Sequence, residues 1–154
     1  MTVHVPVPGG EDLNLEHLVL DVNGTLTDRG EPITQAISAL ERLREQLQLH
    51  LLTADTFGTA GALAASLGCA FHKAHSAQDK QRHIEALGAR RCVAIANGRN
   101  DRLMLTAAAL GIAVLGREGL HTEALTAADI LAHSVEEALG LLDDPRTLTA
   151  TLRL

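Results

Sequence analysis

Six short apolar runs punctuate the chain, and most end directly on polar or glycine-bearing residues. His17-Leu18-Val19-Leu20 leads into Asp21, and Leu47 to Leu52 leads into Thr53. A weaker run, Cys69 to Phe71, follows Gly68. Cys92-Val93-Ala94-Ile95-Ala96 precedes Asn97-Gly98, Ile112-Ala113-Val114-Leu115 ends at Gly116, and Ile130-Leu131 comes last. Runs that are apolar at consecutive positions suit strands covered on both faces. The segments between them carry a helical period. In Pro32–Gln46, the residues Ile33, Ala36, Ile37, Leu40 and Leu43 fall on one stripe, and Pro32 suits a first helical position. Ala60–Leu67 is alanine-rich, and Ser76-Ala77-Gln78-Asp79 reads as a capping box opening Lys80–Leu87. Arg102–Leu110 and Ser134–Leu142 complete the predicted helices. Strands alternating with helices predict a doubly wound, Rossmann-like α/β domain over residues 1–154, with a parallel sheet flanked by helices. Residues 1–12 contain Val-His-Val-Pro-Val-Pro and fit either an edge strand or a loose segment.

Composition narrows this picture. The 154 residues suit one domain with one core, and that core must be aliphatic, because Phe57 and Phe71 are the only aromatics among Phe, Trp and Tyr. A net charge of -6 disfavours nucleic acid and acidic membranes as partners. No run approaches the roughly 20 apolar residues of a membrane helix, and Met1 to Gly10 lacks the pattern of a secretory signal. Cys69 and Cys92 sit far apart in apolar contexts, as small hydrophobes of a reducing cytoplasm do. The eight histidines are scattered without zinc-type spacing, which favours ordinary surface or half-buried roles. The expectation is a soluble, cytoplasmic, acidic protein.

In open α/β sheets, ligands bind beyond the carboxyl ends of the strands. Four segments there carry a phosphate-and-metal vocabulary. The first is Asp21-Val22-Asn23-Gly24-Thr25. A carboxylate ending a buried strand calls for a cation, which Mg²⁺ would supply, and Gly24 permits a sharp turn whose N–H groups face an anion. In Leu52-Thr53-Ala54-Asp55-Thr56, the Thr53 hydroxyl offers a donor to a phosphoryl oxygen, although taken alone the position reads more readily as a helix N-cap. Lys80 falls in the first turn of its helix, where the macrodipole disfavours a cation unless an anion lies nearby. In Ala96-Asn97-Gly98-Arg99-Asn100-Asp101, oxygen-bearing side chains surround a glycine, as a Mg²⁺ site or a capped turn would require.

Leu18-Val19-Leu20-Asp21-Val22-Asn23-Gly24-Thr25-Leu26-Thr27 resembles the opening Asp-x-Asp-Gly-Thr-Leu-Thr motif of the haloacid dehalogenase superfamily. Thr53 is positioned like the second motif of that superfamily and Lys80 like the third. Asn97-Gly98-Arg99-Asn100-Asp101 through Met104-Leu105 is similar to the fourth, Gly-Asp-Gly-x-Asn-Asp with a downstream Met-Leu. Thr53-Ala54-Asp55 is similar to the Thr-Gly-Asp of soluble proteins related to the phosphorylation domain of P-type ATPases. Both usual insertion points for a cap domain are short here, so the chain looks like a capless member.

The resemblance implies that Asp21 attacks phosphorus and forms an aspartyl-phosphate. Gly24, Thr25, Thr53, Ala54 and Lys80 would hold the phosphoryl group. Asp21, Asn23 (through its backbone carbonyl), Asn97 and Asp101 would hold Mg²⁺. Asp55, Arg99 and Asn100 would support the site. Two positions depart from the pattern: Asn23 stands where the family has a proton-transferring aspartate, and Asn97 where it usually has a metal-binding one. The expected function is a slow Mg²⁺-dependent phosphatase acting on a small phosphorylated substrate. The alternative is a non-catalytic or regulatory domain that binds phosphate, a nucleotide or a protein. With no cap to restrict access, association into a homo-oligomer is a further expectation. A response-regulator receiver is disfavoured by the order of its motifs. A dinucleotide-binding domain is disfavoured because no Gly-x-Gly-x-x-Gly follows the first strand.

Overall fold

The computed structural model describes residues 1–54 and 58–154. Its centre is a six-stranded parallel sheet built from β3 (His17–Asp21), β6 (Gln48–Thr53), β7 (Ala70–Lys73), β8 (Cys92–Ala96), β9 (Leu110–Val114) and β10 (Ile130–Ala132). The spatial order is β10-β9-β8-β3-β6-β7. This is the doubly wound arrangement, and its direction of winding reverses between β3 and β8. Every residue of β3, β8 and β9 is buried. That burial is the physical reason their sequences are apolar at consecutive positions. Alternate side chains divide between two layers. Leu18, Leu20, Leu51, Val93 and Ile95 enter one aliphatic cluster, whereas Val19, Leu52, Ala94 and Ala96 enter the other.

The first layer holds α1 (Thr34–Leu43), α2 (Thr59–Leu67), α6 (Val135–Asp143) and α7 (Arg146–Leu152). The second holds α3 (Ala77–Leu87), α4 (Arg102–Ala107) and α5 (Thr122–Ala127). In α1, Ala36, Ala39, Leu40 and Leu43 form the buried face. The helix starts after Pro32, because Pro32 pairs with Thr27 in a small hairpin of β4 (Thr27–Asp28) and β5 (Glu31–Pro32). Helices α3 and α6 open on Ser76 and Ser134, whose hydroxyls accept the N–H groups of Asp79 and Glu137. The Asp79 carboxylate accepts from the His75 N–H, so the reciprocal half of the predicted capping box is displaced by one residue. Helix α4 stops at Ala107, because Leu110 already belongs to β9.

The N-terminal segment forms β1 (Val3–Val5), antiparallel to β2 (Leu13–Leu15) in a separate two-stranded sheet. Val3, Val5 and Leu15 bury themselves in the first cluster, so this segment is neither loose nor an edge of the main sheet. Cys92 is buried and Cys69 half-buried, and both are free thiols. Among the described residues, no helix is long and apolar enough to cross a membrane. The only element between Asp21 and α1 is the β4–β5 hairpin, and no separate cap layer is present among the described residues.

Candidate active site

The carboxyl ends of β3, β6 and β8 meet at the point where the winding reverses. Asp21 ends β3 and is 8% exposed. Behind it, the Val22 carbonyl accepts from the N–H groups of Thr25, Leu26 and Thr27, which folds the chain back on itself. Gly24 occupies the bend with φ of 75°, and a Cβ there would lie 2.9 Å from the Asn97 amide nitrogen. The left-handed backbone and the close approach both require glycine at this position.

Lys80 is the fourth residue of α3 and is 1% exposed. Its ammonium donates to Asp21 Oδ1 at 2.9 Å and to Asp101 Oδ1 at 2.5 Å. Asp101 itself is 0% exposed, in a 3₁₀ turn directly after β8, and its other oxygen accepts the Gly98 N–H at 2.9 Å. The anion that makes a lysine tolerable near this helix start is therefore a pair of carboxylates contributed by two other strand ends. Among the described residues, one cation against two buried carboxylates leaves a net negative centre. Burial first, and then the Asp101 charge, push the Asp21 carboxyl up to about 7 despite the opposing influence of Lys80. Burial also acts to lower the Lys80 pKa, but the two carboxylates outweigh it and the net shift is upward.

Thr25 faces inward. Its hydroxyl lies 3.2 Å from Asn97 Oδ1 and 3.4 Å from Asp21 Oδ2, and can donate to one of them at a time. Asn97 is buried at the end of β8, and its amide donates to the Gly119 carbonyl at 3.0 Å. The side chain thus ties the β3 turn to the loop after β9. Asn23 is exposed, with its amide nitrogen 3.4 Å from Thr53 Oγ1. Thr53 is buried at the end of β6, and Ala54 is exposed just beyond it. Arg99 pairs with Glu123 of α5, and Asn100 is exposed on the same turn. Asp55 lies outside the described residues.

The structure therefore gathers Asp21, Asn23, Gly24, Thr25, Thr53, Lys80, Asn97 and Asp101 around one centre, while Arg99 is drawn aside. It also adds neighbours that no motif marked. Arg117 pairs with Asp28 of the hairpin at 2.9 Å, and Glu118 accepts the Arg29 N–H at 3.3 Å. These contacts wall a cleft of about 720 Å³ beside Gly24 and Thr25, between the hairpin and the loop after β9. The available signal was positional: Gly116 to Gly119 follow a strand end, as binding loops in such sheets do.

No family model matches the chain. An uncharacterised protein of Methanocaldococcus jannaschii is 41% identical over 64 residues, an alignment spanning 42% of this chain and 69% of that protein. Among solved structures, 3-deoxy-D-manno-octulosonate 8-phosphate phosphatase from Moraxella catarrhalis, in complex with magnesium, phosphate and the sugar acid, superposes with a TM-score of 0.69. It is 18% identical, and the match covers 89% of this chain and 92% of that one. The catalytic domain of the CPx-ATPase CopB-B matches with a TM-score of 0.63 and 26% identity, over 74% of this chain and 46% of that one.

Proposed function

We propose that this chain, which belongs to the family of the archaeal relative and has the haloacid dehalogenase-like fold without a cap, is a slow Mg²⁺-dependent phosphatase that uses Asp21 as its nucleophile. The observation that carries this reading is Lys80, buried and hydrogen-bonded to both Asp21 and Asp101. Buried ion pairs of this kind contribute little net stability. Such a pair does, however, hold a nucleophile and a charge-stabilising lysine in register.

A divalent cation fits the residues present, because among the described residues two buried carboxylates, Asp21 and Asp101, share the one ammonium of Lys80, and burial followed by the Asp101 charge holds Asp21 near 7. Asp21, Asp101, the Asn23 carbonyl and Asn97 would hold the ion. When bound, it would neutralise charge on the carboxylates and on the transferring phosphoryl oxygens. The rest of the chemistry falls to the chain. An Asp21 oxygen forms a bond to phosphorus as the bond to the leaving oxygen breaks, giving an aspartyl-phosphate and a free alkoxide or phenolate. Water then attacks phosphorus, the bond to Asp21 breaks, and inorganic phosphate departs. Lys80 and the Thr53 hydroxyl hold the phosphoryl oxygens, and Thr25 holds Asp21 in position.

Asn23 has no proton to exchange at neutral pH, so the leaving group must take its proton from solvent. Positioned acid–base help is worth about 10²–10⁴-fold, and this site lacks it. Aryl phosphates, whose leaving groups need little protonation, are therefore the favoured substrates. The further reading, a regulatory domain that binds phosphate without turnover, draws on Asn97, whose amide ties loops together. Hydrolysis of p-nitrophenyl phosphate, measured with Mg²⁺ and with EDTA, separates the two. Metal-dependent turnover that disappears in Asp21→Asn and rises in Asn23→Asp is expected. Absence of turnover in folded wild-type protein would transfer the assignment to the binding domain.

A further inference from the structure

The histidines that look scattered along the chain do not stay scattered in the fold. His50 sits in the middle of β6, His72 on the edge strand β7, and His83 on α3. Each offers one ring nitrogen, and the three nitrogens lie within 4.8 Å of one another. The His72 and His83 ring centres are 4.2 Å apart. His50 is 8% exposed, and its Nε2 is 3.1 Å from His17 Nδ1. Among the described residues, neither its buried Nδ1 nor the buried His83 Nε2 has a partner.

Unpaired buried nitrogens are destabilising unless something satisfies them. If the His50 Nε2–H donates to His17, then His50 Nδ1 presents a bare lone pair to the cluster. Metal-bound histidines are oriented in this manner, with the second ring nitrogen donating to a partner that fixes the tautomer. We propose that His50, His72 and His83 form a binding site for a borderline divalent transition ion, Zn²⁺ being its representative, with His17 orienting His50.

The donor set selects the class of ion. Three imidazoles, with no carboxylate in the set among the described residues, suit zinc, copper or nickel, and do not suit Mg²⁺ or Ca²⁺, which require oxygen ligands. Three protein ligands leave a fourth position for water. The site shares no ligand with the centre at Asp21. Zn–N bonds of about 2.1 Å in a tetrahedron place the nitrogens about 3.4 Å apart, so the rings close slightly on binding. Burial, and then the neighbouring histidines, hold His50 at about 4, and burial lowers His83 as well, which favours the neutral rings that a metal ion requires.

The consequence is mechanical. The ion joins α3 to β6 and β7 at the edge of the sheet. His83 lies one turn beyond Lys80 on α3, and His50 lies three residues before Thr53 on β6. Binding therefore fastens together the two elements that carry Lys80 and Thr53.

The test uses the full chain stripped of metal, titrated with Zn²⁺ by calorimetry and with Co²⁺ by visible absorption, and followed by thermal unfolding. With excess Mg²⁺ present to fill the Asp21 centre, one equivalent should bind, Co²⁺ should give the absorption of a low-coordinate nitrogen site, and Tm should rise. His72→Gln and His83→Gln, with folding verified by circular dichroism, should each weaken binding at least about 100-fold, beyond the 10–100-fold that loss of an orienting partner causes. His75→Gln and Asp21→Asn should bind as the wild type does. The proposal is overturned if no stoichiometric binding occurs. It is equally overturned if both histidine variants bind as the wild type does, or if Asp21→Asn abolishes binding while they do not. No arm depends on phosphatase activity, so failure here leaves the reading of the Asp21 site intact.

Discussion

Replacing Lys80 by methionine keeps the length of the side chain and removes its charge from between Asp21 and Asp101. The lysine is 1% exposed, Asp101 0% and Asp21 8%, so water cannot take its place. Removing one partner of a buried ion pair typically costs about 3–5 kcal/mol, because the remaining charge is left uncompensated. Here two carboxylates share the one ammonium, at 2.9 and 2.5 Å, which puts the expectation in the upper part of that range. The loss is capped by protonation. Asp21 is already at about 7 with the lysine present, and without it a carboxyl group can take up a proton instead of remaining charged.

The sign of the pH effect follows from that proton. Over the range where the carboxyls of the folded variant hold one proton more than those of the folded wild type, the penalty shrinks by about 1.4 kcal/mol for each unit of falling pH. Urea unfolding in EDTA at pH 8 and at pH 6 reads this directly. Lys80→Met should lose about 3–5 kcal/mol at pH 8 and distinctly less at pH 6. In the Lys80→Met/Asp21→Asn double variant, much of the loss should be recovered. A loss under about 1 kcal/mol, or one that does not change with pH, would refute the claim that Lys80 is what holds two ionised carboxylates in this centre.

Two further outcomes are expected. A Cβ on Gly111 would clash with the Leu105 carbonyl oxygen, so Gly111→Ala must displace backbone where α4 turns into β9. The variant should lose about 1–3 kcal/mol or more in urea unfolding, and a neutral result would contradict the packing described. His50 is held at about 4, below its ordinary 6.5, so the unfolded chain takes up its proton first as pH falls. Stability should therefore decline from pH 6.5 towards pH 4, by up to about 3 kcal/mol from this residue. Wild type and His50→Leu compared in EDTA at both ends of that window isolate the contribution, and equal losses in the two proteins would count against it.

Local physics made part of this protein legible from its residues alone. Consecutive apolar residues in His17–Leu20 and Cys92–Ala96 are demanded by burial on both faces of a sheet, so the central strands and their alternation with helices could be read directly. The polar residues at the strand ends followed from the same pattern, because Asp21, Thr53 and the Asn97–Asp101 turn stand where the apolar runs stop. The serine cap at Ser76 was readable for a similar reason, since a side chain bonding to an N–H three residues on is a local event.

Only the assembled fold decided what depends on distance in space. Pro32 looked like a helix start until its pairing with Thr27 placed it in a hairpin. Helices α5 and α7 have six and seven residues, too few to show a clear period, and their positions depend on the layers they cover. Lys80 asked for an anion on electrostatic grounds, but packing alone determined that the anion is two carboxylates, one on a strand 59 residues before it and one on a turn 21 residues after it. The histidines show the limit most sharply. His50, His72 and His83 have no common spacing along the chain and converge because β6, β7 and α3 stack at one edge of the sheet. Periodicity records which side of an element faces the core, whereas tertiary packing decides which elements share that side, and a three-residue ligand set exists only at the second level.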